Sequence, residues 1–289
     1  MISITRINSS LRLGVSLKFG VWNLKFFLPF VLIASNALAA SAQSNLETKP
    51  LPTLFLIGDS TVNNATKGLQ GWGKPIAAMF DTNRINVQNK ARGGRSSRTY
   101  HTEGLWEDVR KQFKPGDFVL MQFGHNDGGP LADGRARASL KGNGDETREV
   151  EDQSIGKKET VHTYGWYLRK YIADTKAAGA TPIVLSLVPR NIWNQDKVIR
   201  STNDYGKWAA EAANAGGALF IDLNSIIGAH YEEAGKEKVQ QLYFTPADHT
   251  HSTPAGAELN AASVVEGIRA LTNCPLRDYL LSPRRDTAK

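Results

Sequence analysis

The chain has 289 residues, 41% of them hydrophobic and 22% charged, with 35 Lys and Arg against 28 Asp and Glu for a formal net charge of +7. That length can bury a substantial core, and its excess of base is too small to indicate a nucleic-acid partner. The single cysteine, Cys274, excludes an internal disulfide, so stability must come from packing.

Residues 1–42 read as an export signal. Arg6, Arg12, Lys18 and Lys25 supply positive charge with no acid, and the apolar run 26–40 ends in small residues at A-x-A spacing, with cleavage after Ala42 or after Ala39. A membrane anchor is the competing reading, but Pro29 and Asn36 interrupt the run, and it falls short of the roughly 20 residues a spanning helix needs. The remaining 247 residues carry 31 bases and 28 acids, a net charge of +3, and are expected to form one secreted or periplasmic domain over 43–289.

Within that domain, short apolar, β-branched runs alternate with helical patterns. This predicts an α/β fold, a parallel sheet covered by helices on both faces. The predicted strands are 53–57, 84–88, 117–123, 181–187 and 218–223; the predicted helices are 72–80, 104–113, 161–178, 205–215 and a last one from Pro254, with Thr253 suited to its N-cap. The stretch 128–160 is rich in glycine and charge and reads as a long loop.

Ligands of open α/β sheets collect at the carboxyl ends of the strands. Strand one delivers Gly58-Asp59-Ser60-Thr61-Val62, strand two Ala91-Arg92-Gly93-Gly94-Arg95-Ser96, and strand three Gly124-His125-Asn126-Asp127; Asp248-His249-Thr250-His251 stands before the last helix. These residues supply what acyl transfer requires: Ser60 as nucleophile, His251 as its base, Asp248 to orient the base, and the N–H groups of Ser60 and Gly94 with the Asn126 amide as oxyanion donors. Each has a plainer reading, a turn for Gly-Asp-Ser, a tight loop for Gly94, a loop bridge for Asn126. What favours chemistry is their recurrence at successive strand ends.

In their order along the chain, GDSTV, ARGGRSS, GHND and DHTH resemble the four blocks of the SGNH (GDSL-like) hydrolases. GDSTV with Gly71-Trp72-Gly73, GGRSSRTY and DHTHSTPAGA are similar to the rhamnogalacturonan acetylesterase branch, over about 54–271. The chain departs from the GDSL label at Thr61-Val62, which that branch tolerates. The resemblance implies a flavodoxin-like, three-layer α/β/α sandwich with a five-stranded parallel sheet and no cofactor or metal. It also implies the site roles given above and removal of acetyl groups from galacturonate-containing pectin, an acetylated plant cell-wall polysaccharide.

Three arginines, Arg92, Arg95 and Arg98, surround the oxyanion glycine. Arg95 and Arg98 are the candidate ligands for a galacturonate carboxylate; the alternative is that such arginines pair with Glu103, Glu107 or Asp108 on the next helix. Acetylated xylan or another acetyl ester is the alternative substrate. A metal-dependent deacetylase using His125, Asp248, His249 and His251 would leave Ser60 without a purpose, and a non-catalytic sugar-binding module would make the whole set accidental.

Overall fold

The computed structural model describes residues 50–132, 135–152 and 156–282, with isolated positions 14, 16 and 18. Apart from those three positions, the predicted export signal lies outside the described residues. No helix among the described residues is long and apolar enough to cross a membrane.

Five parallel strands form the central sheet: β1 (Thr53–Gly58), β2 (Asn86–Asn89), β3 (Phe118–Gln122), β6 (Thr181–Leu185) and β9 (Leu219–Ile221), in the order β2-β1-β3-β6-β9. Both faces of β1, β3 and β6 are buried, which is why these strands read as continuous apolar runs. Alternate residues serve opposite layers. Leu54, Leu56, Leu120, Ile183 and Leu185 pack with Trp72, Ile227 and Val264, whereas Phe55, Ile57, Val119, Met121 and Val184 pack with Trp106, Leu168, Tyr171 and Ala212. The three-layer α/β/α sandwich is therefore the observed architecture.

The helices are α1 (Ser97–Thr102), α2 (Leu105–Arg110), α3 (Tyr164–Ala177), α4 (Tyr205–Gly216), α5 (Leu223–Ala234), the single turn α6 (Lys236–Lys238) and α7 (Pro254–Ala270). Thr253 caps α7 as predicted, its hydroxyl accepting from the Gly256 N–H at 3.2 Å. The helix predicted over 72–80 is only a 3₁₀ turn, Pro75–Met79. Neither α1 nor α5 was predicted.

The stretch 128–160 is not all loop. It contains most of an antiparallel hairpin, β4 (Thr147–Asp152) with β5 (Lys157–His162), registered Thr147↔His162. Two smaller hairpins, β7 (Trp193–Asn194) with β8 (Lys197–Val198) and β10 (Phe244–Thr245) with β11 (Asp248–Ser252), lie outside the main sheet.

Candidate active site

The strand ends assemble the site. After β1 the chain turns at once: the Asp59 carbonyl accepts from the N–H groups of Val62 and Asn63 at 3.2 and 3.0 Å, and Asp59 Oδ1 takes the Thr61 N–H and hydroxyl, each at 2.8 Å. Ser60 stands half-buried on this turn. Pairing with β1 continues past β2, with Arg92 N–H donating to the Gly58 carbonyl at 3.0 Å, and this brings Gly93 and Gly94 alongside the serine. A Cβ placed on Gly93 would lie 3.6 Å from Ser60 Cβ.

Asp248 and His251 arrive on β11. The Asp248 carboxylate folds back on its own strand, Oδ1 accepting from the N–H groups of Thr250 and His251 at 2.8 and 2.9 Å. Its Oδ2 lies 2.7 Å from His251 Nδ1, and His251 Nε2 lies 2.8 Å from Ser60 Oγ. Burial alone would raise the Asp248 carboxyl, but the bonds from His251 and Thr250 outweigh it and hold the group below the usual range. Such a chain of carboxylate, imidazole and hydroxyl can draw a proton from the serine. Two backbone ties help hold the hairpin in place: Gln70 N–H to the Ser252 carbonyl at 2.9 Å, and Asn191 N–H to the His249 carbonyl at 2.8 Å.

Gly94 has φ +78°, the left-handed region that glycine adopts without strain. Among the described residues, the Ser60 and Gly94 N–H groups have no acceptor. Asn126, only 7% exposed, spends one amide N–H on the Arg95 carbonyl at 2.9 Å, leaving the other available. All of the predicted catalytic and oxyanion residues are thus brought to the strand ends, with Ser60, Gly94, Asn126 and His251 lining one cleft of about 960 Å³.

The two arginines predicted to bind substrate do not line that cleft. Arg98 is buried, its guanidinium paired with both Glu159 oxygens at 2.8 Å and donating to the carbonyls of Leu131 and Ala138. Arg95 is occupied by Glu103 at 2.8 Å and by the Gly93 carbonyl at 3.1 Å. Their places are taken by Lys90, Arg92, Arg135 and Arg137, with Asp108 the one carboxylate among the described lining residues. Sequence reasoning missed Arg135 and Arg137; two cations spaced i, i+2 just beyond GHND were the available signal. Burial and the neighbouring Arg135 push the Arg137 guanidinium down, with Asp59 and Asp127 opposing.

Of the residues of the metal reading, only Asp248 and His251 stay together. His125 is enclosed beside Asp59, Nδ1 to Oδ2 3.5 Å, while His251 faces Ser60 and His249 is exposed. No three His, Cys, Asp or Glu side chains among the described residues are grouped to hold a metal.

Asp127 is wholly buried beneath the site, accepting from the Ser97 hydroxyl at 2.5 Å and the Ser139 hydroxyl at 3.0 Å. Burial raises its carboxyl more than those bonds lower it, pushing it up to about 7 from 3.8. Between those values the folded state keeps a proton that the unfolded chain has released, so this group makes stability fall as pH rises from about 4 to about 7. The Asp127→Asn variant is expected to lose that contribution, and its urea midpoint should change less between pH 5 and pH 7.5 than the wild type's. An undiminished change would place the pH dependence elsewhere.

Known proteins share this arrangement of elements. The chain is 31% identical over 232 residues to a rhamnogalacturonan acetylesterase of Emericella nidulans, spanning 80% of this chain and 91% of that one. It is 28% identical over 250 residues to a rhamnogalacturonan acetylesterase of Bacillus subtilis, spanning 81% and 96%. Two solved structures below 25% identity share the fold. The YxiM protein of Bacillus subtilis superposes with a TM-score of 0.61 at 24% identity, over 76% of this chain and 56% of that one. An acetylxylan esterase from Geobacillus stearothermophilus superposes with a TM-score of 0.50 at 20% identity, over 75% and 93%. Residues 56–259 match the GDSL-like Lipase/Acylhydrolase family, and with that match spanning most of the fold, the chain belongs to this family and is a carboxylic ester hydrolase.

Proposed function

We propose that the protein is a secreted carbohydrate acetylesterase that removes O-acetyl groups from acidic, pectic polysaccharide through an acetyl-enzyme on Ser60. The observation that carries this reading is the unbroken Asp248–His251–Ser60 chain at the edge of a cleft lined by four cations. His251 takes the Ser60 proton as Oγ adds to the acetyl carbonyl, and Asp248 steadies the imidazolium. The tetrahedral oxyanion sits among the N–H groups of Ser60 and Gly94 and the Asn126 amide. Collapse of this intermediate expels the sugar alcohol, which receives the proton from His251. Water, deprotonated by the same imidazole, then releases acetate. Export through the signal read at 1–42 belongs to the same proposal, since the polymer lies outside the cell that degrades it.

The pectic assignment rests on charge. Arg92 and Arg135 line the cleft, and a guanidinium there can grip a galacturonate carboxylate with two parallel hydrogen bonds. Acetate release from acetylated rhamnogalacturonan should exceed that from acetylated xylan at matched acetyl concentration, and added salt should narrow the gap. Arg92→Gln and Arg135→Gln should each lower the ratio by about 3- to 10-fold, the exposed end of the range for a charged hydrogen bond, and spare a small neutral acetyl ester. A preference for xylan, or a ratio unmoved by both substitutions, overturns the acidic substrate and leaves the esterase standing.

A further inference from the structure

Three consecutive carbonyls beside the nucleophile are each held by a side-chain donor. Arg95 Nη1 donates to Gly93 O at 3.1 Å, Arg137 Nη1 to Gly94 O at 3.2 Å, and Asn126 Nδ2 to Arg95 O at 2.9 Å. The first of these matters most. Residues 92–95 form a four-residue turn, closed by the Arg95 N–H on the Arg92 carbonyl at 3.3 Å, and Gly94 with φ +78° gives it the type II form. Types I and II differ by rotation of the central peptide, which here consists of the Gly93 carbonyl and the Gly94 N–H. In a trans peptide those two groups point in opposite directions, so whatever fixes Gly93 O also fixes the aim of Gly94 N–H.

With glycine at both central positions, side-chain sterics do not select between the two orientations. A turn flipped to the other form would also direct the Gly93 carbonyl, an acceptor, to the side where the oxyanion needs a donor. We propose that Arg95 is a positioning residue, not a substrate ligand: anchored by Glu103 through Nε to Oε2 at 2.8 Å, its guanidinium pins the Gly93 carbonyl and thereby aims the Gly94 N–H at the oxyanion. This assignment rests on the serine esterase reading above. It gives the Arg95–Glu103 pair, which is 36% and 42% exposed and would add little stability as a surface ion pair, a catalytic consequence.

The test uses two neutral probes that offer the cleft's cations no charge to bind, 4-nitrophenyl acetate and diethyl 4-nitrophenyl phosphate, whose phosphoryl oxygen occupies the same hole when the serine displaces nitrophenolate. Deleting an oxyanion donor outright costs about 10²- to 10³-fold, so mis-aiming one should cost about 10- to 100-fold in Arg95→Ala. That loss is expected in kcat with KM within about twofold, and in the rate of phosphorylation by the same factor. Arg95→Lys, which keeps a donor for Gly93 O, should recover much of it, and Glu103→Gln should show a smaller loss of the same kind. A well-folded Arg95→Ala enzyme with kcat within twofold of wild type, or a change confined to KM or Tm, overturns the assignment. Should Arg95→Ala fail to fold, Glu103→Gln decides, and wild-type kcat there is equally fatal. A wild-type enzyme inert to both probes would instead sink the serine esterase reading, and this assignment with it.

Discussion

Ser60→Ala is expected to reduce acetate release by at least about 10⁴-fold, because the proposed mechanism forms the acetyl-enzyme on that hydroxyl. The substitution removes one oxygen whose partner is His251 Nε2, at a half-buried position on a turn held by the Asp59 carbonyl and carboxylate. None of the turn's own hydrogen bonds uses that oxygen. The variant's Tm should therefore stay within about 2 °C of wild type, the shift expected for a surface change of a few tenths of a kcal/mol. Acetate assay and thermal unfolding on the same preparation check both halves, and normal turnover in the folded variant would end the serine mechanism.

Asp248→Asn should be nearly as damaging, for a reason that lies in which atom carries the proton. Asp248 Oδ1 already accepts from the Thr250 and His251 N–H groups, so an asparagine will keep its carbonyl there and turn its amide N–H₂ toward His251 Nδ1. Nδ1 must then accept, the ring proton moves to Nε2, and the imidazole presents a donor to Ser60 where a base is required. The same inversion in serine proteases costs about 10⁴-fold in kcat. Because the backbone hydrogen bonds survive, KM and stability should change little. Initial-rate kinetics with a small acetyl ester test this, and retention of more than a tenth of the wild-type kcat would make Asp248 structural only.

How much of this was legible in the sequence follows from where each signal is stored. The sheet was readable because β1, β3 and β6 are buried on both faces, and a strand buried on both faces writes its position as an uninterrupted apolar run. The hairpin of β4 and β5 was not, since TREVED and KKETVH offer no apolar alternation, and one of their cross-strand side-chain contacts is the polar pair of Thr160 with Glu149. Helix α5 did carry a pattern, Leu223, Ile227 and Tyr231 at every fourth position, hidden by its immediate departure from β9. The candidate catalytic residues were legible because each stands in its own short motif, Ser60, Gly94 and Asn126 just after sheet strands and Asp248 with His251 just before α7. The arginines were not. Arg98 meets Glu159 across 61 residues of chain, a pairing that no local pattern records, while the alternative partner Glu103, only eight residues from Arg95, was in plain view.

The burial of Arg98 also constrains how this chain can diverge. Its guanidinium sits on α1, directly after the oxyanion turn, yet its partners belong to the segment that supplies the cleft's Arg135 and Arg137 and to the β5 strand. A descendant that exchanged the whole stretch from that segment through β5 would strand a charge in the interior, which is strongly destabilising. The cassette is thus keyed: it can be swapped only for one that brings a carboxylate and two carbonyls to the same lock, or together with a change at position 98 itself. If the cleft arginines read the substrate as proposed, substrate range and residue 98 should evolve as one unit, while Ser60, Asp248 and His251 vary independently of it.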